Sequence, residues 1–312
     1  MLSLTLRSCK RVTNAVKSFK KRLRPCTPAG PNLKRKCPKM MEIREFAERI
    51  FFSDTLEGKL DNPAGEVNPQ TRVPELSDLS PGEAIAWQQP ARAPGIRVAP
   101  KKKRKKVPHP DALHQKEMRI RCLHAFANHE LMALEMMAWA LLAYPDAPKL
   151  FRKGLVRIIL DEQLHLQMYM DQIAALGAKF GDLPLNDHFW RVAAELHNPV
   201  EWVCGMHLTF EQANLDHAPY FKAAFERVGD EGSAALMQRI FEDEIMHVRF
   251  GGRWLKHFTP EDMKTFDMYL ASLSPHNQAF RAKGHDFNAD ARRDAGLDED
   301  FIIRLHEYSN QM

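Results

Sequence analysis

Long apolar runs are missing from this chain, and no stretch approaches the roughly 18 consecutive apolar residues that a membrane-spanning helix requires. Cysteine is sparse and unpatterned. The five cysteines (Cys9, Cys26, Cys37, Cys122, Cys204) are odd in number and show no C-x-x-C spacing, which excludes a disulfide framework and a thiolate zinc site. A reducing compartment, the cytoplasm, follows. Glycine-rich dinucleotide or phosphate-loop fingerprints are also missing, so any reducing equivalents the chain consumes must come from a partner. Acid is missing from residues 1–41, which hold 12 Lys+Arg. Charge is divided accordingly: residues 1–110 carry 24 Lys+Arg against 10 acids, and residues 111–312 carry 21 against 30. The chain reads as an acidic domain carrying a basic arm, and its 44% hydrophobic residues supply ample material for a core.

Residues 1–40 show no apolar periodicity and are expected to be a disordered basic tail. Their composition also resembles an organellar transit peptide, which would make the protein organellar, and a third reading is an extension upstream of a start at Met40 or Met41. From Met41 the spacing of Ile43, Phe46, Ala47, Ile50 and Phe51 predicts a short amphipathic helix that needs a surface to pack on, with Ser53 capping a second one to Leu60. Residues 61–110 are rich in Pro and Gly and contain Lys101–Lys106, six consecutive basic residues. This segment reads as an extended, wrapping arm whose basic run is a solvated linker, a nuclear-import signal or a nucleic-acid contact.

Residues 111–312 predict an all-α bundle of four long helices with a C-terminal helical extension. The first runs from Asp111 to Ala143 and presents Leu123, Ala127, Glu130, Leu134, Met137 and Leu141 on one seam. A carboxylate in the middle of such a seam must be paired or bound to metal, because burying it alone costs several kcal/mol. The second helix runs from Lys149 to Leu176 with the seam Leu155, Ile158, Glu162, His165, Tyr169, Leu176, and ends at Gly177. A crossover of about 20 residues, long enough to span the bundle, leads to Asn198 and Pro199, a cap and first-turn pair that opens the third helix. Pro219 is expected to kink or break that helix. The fourth runs from Ser233 to Phe258, with Thr259-Pro260 opening a further helix to Leu273 and helical patches at 289–295 and 298–308.

Two copies of one pattern organise this domain: Asp161-Glu162-x-x-His165 and Asp243-Glu244-x-x-His247. Glu and His three apart lie about 60° from each other on a helix, one above the other, so both can grip one ion. Chance supplies about one Glu-x-x-His in a chain of this composition, but only about 0.06 with an aspartate in front. Each copy has a glutamate upstream at a matched distance: Glu130 lies 32 residues before Glu162, and Glu211 lies 33 before Glu244. Four helices presenting Glu, Glu-x-x-His, Glu and Glu-x-x-His carry the ligand set of a di-iron or di-manganese carboxylate centre. Carboxylate and imidazole ligands without thiolate favour iron, with manganese as the substitute. Metal-bound histidines usually pass their other ring proton to a carboxylate, and the pseudo-symmetry of the halves crosses the partners: Asp161 to His247, Asp243 to His165. Tyr169, His207 and Asn214 share the inward faces as hydrogen-bonding or substrate-contacting groups. His124, His129 and His217 are rotated 100° or more from their glutamates and fall outside the ligand set. Cys122 and Cys204 read as small buried apolar residues.

The runs Leu123–Leu131, Asp161–His165, Leu208–His217 and Asp243–Gly251 together resemble a family of uncharacterised ferritin-like proteins, over about Met41 to Phe301. The resemblance implies a ferritin-like fold and a di-iron site at Glu130, Glu162, His165, Glu211, Glu244 and His247. The wider superfamily includes small-molecule monooxygenases, oxidases, tRNA-modifying hydroxylases and iron-storage proteins, so fold leaves the reaction open. The leading expectation is an O2-dependent oxidase or hydroxylase of a small molecule, served by an electron-donor protein, with a core of Leu, Met, Ile and Trp254 keeping water out. A tRNA-modifying hydroxylase using the basic arm, and an iron-oxidising protein without organic substrate, are the alternatives. A metal-free structural bundle would leave four inward glutamates unexplained.

Overall fold

The computed structural model describes residues 40–62, 76–103 and 106–309. Expectations for the basic tail, and for Arg104 and Lys105 within the basic run, lie outside these residues. Among the described residues the chain is helical, with two isolated β-bridges (Glu42 with Ser77, Val98 with Leu185) and no strand. Two short helices open it, α1 (Ile43–Phe52) and α2 (Leu56–Lys59). Then come α3 (Lys116–Ala143), α4 (Lys149–Ala175) and the small crossover helix α5 (His188–Ala193). The third long helix is continuous but composite: α6 (Pro199–Trp202), a π-helix (Val203–Glu211) and α7 (Gln212–Arg227). The long α8 (Glu231–Phe258) follows, then α9 (Thr265–Ala271), α10 (Ala289–Asp294) and α11 (Glu299–Glu307).

Local chemistry sets the boundaries. Asn198 accepts hydrogen bonds from the Val200 and Glu201 amides with Pro199 at the first position, which fixes the start of α6. Gly177, at φ +79°, lets the chain leave α4 in the left-handed region. Three sequence expectations are corrected. Pro219 does not break its helix, which continues to Arg227; the bond it removes is outweighed by burial of Leu215, Ala218, Phe221 and Phe225 on the same element. The helix after Pro260 starts only at Thr265, because residues 260–263 form a turn closed by Met263 N–H to the Pro260 carbonyl. Thr55, not Ser53, caps α2, accepting from the Gly58 amide.

α3 packs along α4, α4 along α8, and α8 along α7 and the π-helix, while α5 of the crossover lies against α3. One long edge of the bundle, between α3 and α7, is thereby left to the crossover and to side chains. α1 lays Ile43, Phe46, Ala47, Ile50 and Phe51, all buried, on the outer side of α3. The surface α1 needed is thus the half of α3 facing away from the bundle centre, and Leu131 to Leu142 are buried all round. Buried charges pin this layer. Glu135 of α3 receives Lys59 Nζ at 3.1 Å and Arg92 at 2.6 Å, and Trp190 Nε1 donates to it at 3.2 Å. Asp78 pairs with Arg152 at 3.0 Å, both buried.

Candidate metal centre

The spacing of the two Glu-x-x-His motifs is turned into a cluster by the pairing of α4 with α8. Ligand atoms of Glu130, Glu162 and His165 lie within 4.8 Å of one another, and so do those of Glu162, Glu211 and His247. Glu162 belongs to both groups. Glu244 joins the second, its Oε2 3.4 Å from His247 Nδ1. The two imidazoles are 5.9 Å apart between ring centres, and all six residues are buried.

Both rings are oriented from outside. His165 Nε2 is 2.9 Å from Asp243 Oδ2, and His247 Nε2 is 3.5 Å from Asp161 Oδ2, so each aspartate faces the histidine of the other motif. Asp243 is held in turn by Arg239 at 2.5 Å, and Asp161 by Arg157 at 3.6 Å. A ring that donates from Nε2 turns the lone pair of Nδ1 inward, and inward is where both Nδ1 atoms point. His165 Nδ1 is 3.6 Å from Glu130 and 3.8 Å from Glu162; His247 Nδ1 is 3.4 Å from Glu162 and 3.9 Å from Glu211. His207 Nδ1 contacts Glu211 Oε2 at 2.5 Å, and Asn214 donates to Glu244 Oε1 at 2.7 Å. Each of those bonds occupies one oxygen of its glutamate and leaves the other facing the centre.

Those inward atoms lack hydrogen-bond partners: Glu162 Oε2, Glu211 Oε1, Glu244 Oε2, His165 Nδ1 and His247 Nδ1 are all buried and unpaired. Buried polar atoms are nearly always satisfied, so five orphans converging on one point mark a group that could hold metal ions. Four carboxylates and two neutral imidazoles sum to four negative charges, which two divalent cations balance. The residues therefore fit a dinuclear centre. Without cations, burial and then the charge of Glu130 push the Glu162 carboxyl well above its ordinary range, whereas the neighbouring His165 and Glu162 outweigh burial and hold the Glu130 carboxyl below its own. Burial also raises Glu244 to about 7, and both histidines are raised well above 6.5 because their carboxylate partners overcome burial. Metal binding must displace these protons.

The π-helix leaves no periodic signal in the sequence. It widens the winding, with the Gln212 amide reaching the His207 carbonyl five residues back, and His207 stays on the face of Glu211. Gly251 of α8 makes room for it, since a Cβ there would lie 2.6 Å from the His207 Cβ. Gly251→Ala is therefore expected to push α8 away from the π-helix, cost roughly 1–3 kcal/mol, and lower metal occupancy by displacing Glu211; thermal melting and elemental analysis of the variant check both.

A narrow cleft with about 50 Å³ of water-accessible space opens onto the carboxylates along the α3/α7 edge. Glu130, Glu162, Glu211, Glu244, Asn214 and Tyr169 form its floor, and Phe126, Phe189, Phe210, Phe221, His129 and His217 its walls. Phe189 stacks on Phe210 at 4.5 Å, and His129 stacks on Phe189 at 5.1 Å. Sequence reasoning set His129 and His217 aside as non-ligands and did not find these walls. A signal existed: Phe126 is one helical turn before Glu130, and Phe210 immediately precedes Glu211. His124 lies elsewhere and accepts from the Gly181 and Leu183 amides, clamping the crossover. Trp254, expected in the core beside the centre, instead lies half-buried in an outer groove, because its ring packs against Phe151 of α4 and Phe258 at the end of α8. Cys122 and Cys204 are buried, and burial pushes the Cys204 thiol up to about 12, so neither offers a thiolate.

The chain belongs to the family described as "Protein of unknown function (DUF455)", whose model matches residues 38–303. No curated protein and no solved structure matches it.

Proposed function

We propose that the chain is a ferritin-like di-iron carboxylate protein that oxidises a small, largely apolar molecule with O2. The observation that carries this reading is the convergence of five unpaired buried ligand atoms beneath an aromatic-walled cleft. Two iron ions held by Glu130, Glu162, His165, Glu211, Glu244 and His247 would supply the reduction of O2; manganese is the substitute. The protein's own part is positional. Asp161 and Asp243 fix the imidazole tautomers, His207 and Asn214 leave one oxygen each of Glu211 and Glu244 facing the centre, and the four phenylalanines exclude water and receive the substrate's apolar body. Tyr169, whose hydroxyl is held neutral by burial and by the carboxylate charge of Glu130, keeps a proton at the cleft floor. The aromatic walls suit a small apolar molecule, whereas a tRNA substrate would have to thread a base past Phe189 and Phe210. Iron handling without an organic substrate gives the walls no task.

Purified protein from iron-replete cells is expected to contain close to two iron ions per chain, and its ferrous form to consume O2. Glu130→Ala and Glu211→Ala should lose metal while keeping their helices, since the seams around them are apolar. Stoichiometric zinc with no iron would sink the reading, and full metal in either variant would disprove the ligand set.

A further inference from the structure

The cleft and the histidine-bearing side of the centre lie on opposite edges of the bundle. Substrate reaches the carboxylates between α3 and α7, whereas Asp161 and Asp243, the partners of the two imidazoles, lie part-exposed on the α4/α8 edge. Along that edge runs an open groove of about 430 Å³ lined by Leu150, Met246, Phe250, Trp254, Arg249 and Arg253. Leu150 is 76% exposed and Met246 52%, an unusual display for large apolar side chains on neighbouring helices. Gly154 lets the Phe250 ring lie against α4, since a Cβ there would sit 2.3 Å from it, so the groove floor is packed.

Its charge is one-sided. Its lining holds Arg249 and Arg253 and no acid, and Lys149, Lys153 and Lys256 lie beside it in a domain that is acidic overall; Asp161 and Asp243, further along the same edge, are paired with Arg157 and Arg239. A second copy meeting this face through two-fold symmetry would set arginine against arginine. Nucleic acid would find the cations but not a use for exposed leucine and methionine in a concave seam. An acidic protein with an apolar tip satisfies both features.

We propose that the α4/α8 groove is the docking surface for an acidic one-electron donor protein of the iron–sulfur class, delivering electrons beside His247 and Asp161 while substrate occupies the opposite cleft. The proposal rests on the di-iron reading. Two donor molecules give one electron each, taking two ferric ions to ferrous and leaving two oxidised donors. Separate edges let reduction proceed without displacing substrate.

The test titrates the full-length chain, iron-loaded and chelator-treated, with an acidic [2Fe–2S] ferredoxin by calorimetry at several salt concentrations. Binding is expected in both forms, weakening with salt, and weakening at least tenfold in Lys153→Glu, Arg253→Glu and Leu150→Ser, whose exposed positions leave melting temperature and iron content unchanged. Reduction of the iron-loaded chain by the ferredoxin should slow in parallel, while reduction by dithionite does not. Wild-type affinity in the variants, no ferredoxin binding at all, self-association lost in the same variants, or tighter binding of RNA there would each overturn the proposal. A chain that binds ferredoxin through these residues but holds no iron would instead overturn the di-iron reading and leave the docking surface standing.

Discussion

Glu135→Ala is expected to be the most destabilising single substitution outside the metal centre, by about 3–5 kcal/mol. Its carboxylate is fully buried between Lys59 and Arg92, and removing it strands two cations where water cannot reach them. Burial already lowers the Lys59 ammonium below its ordinary range, with the Glu135 charge and hydrogen bond working against it. Without Glu135 that lysine must lose its proton or leave, and leaving lifts α2 from the bundle. Lys59→Met alone should cost less, because Arg92 and Trp190 still satisfy the carboxylate. Combining Lys59→Met, Arg92→Met and Glu135→Met should recover most of the loss, since an apolar triad has no charge to strand. Urea unfolding of the four proteins at one pH gives the comparison; a triple variant less stable than Glu135→Ala would show that the triad is not a coupled unit.

The same triad marks the limit of what the sequence makes legible. Glu130 and Glu135 lie on one helix, but only Glu130 falls on the i, i+3, i+4 seam, so Glu135 looks like a surface acid. Its burial depends on α1, α2 and the segment around Arg92, whose contacts span more than 40 residues of chain and leave no local pattern. The ligand residues are legible for the opposite reason: metal chemistry demands Glu-x-x-His on one helical face, and that spacing survives in the linear chain. The cleft walls fall in between. Phe189 comes from the crossover and Phe221 from two residues beyond Pro219, and a phenylalanine near a helical seam is ordinary core until the α3/α7 gap is seen. The π-helix is hidden because one extra residue per turn alters no residue type, only the register in which His207 meets Glu211.

Metal-free protein is expected to grow more stable as pH falls from about 7 to about 4.5, and iron-loaded protein to grow less stable over the same range. Glu244 ionises near 4.5 when unfolded and near 7 in the metal-free fold, because burial and the charges of Glu211 and Glu130 outweigh the bond to His247. Between those values the folded chain holds a proton that the unfolded chain has released, so lowering the pH favours folding, by up to about 3 kcal/mol from this group alone. Glu162, His165 and His247 are raised as well and act in the same direction, their contribution being lost as pH rises through their folded values. Asp243 opposes them only in stronger acid: held down to about 2 by His165 and Arg239 against burial, it gives stability that is lost as pH falls through that value. The metal-free optimum should therefore lie near pH 4 to 5. Cations reverse the slope because carboxylates and imidazoles must shed their protons to bind them, so metal affinity, and with it the stability it confers, rises with pH. Glu244→Gln, which keeps an oxygen for Asn214 and removes the charge, should flatten the metal-free slope and raise stability at pH 7 while weakening metal binding. Melts of chelated and iron-loaded protein across pH 4.5 to 7.5 decide it, and a metal-free stability that rises with pH would show that burial does not hold the Glu162 and Glu244 carboxyls above their ordinary range.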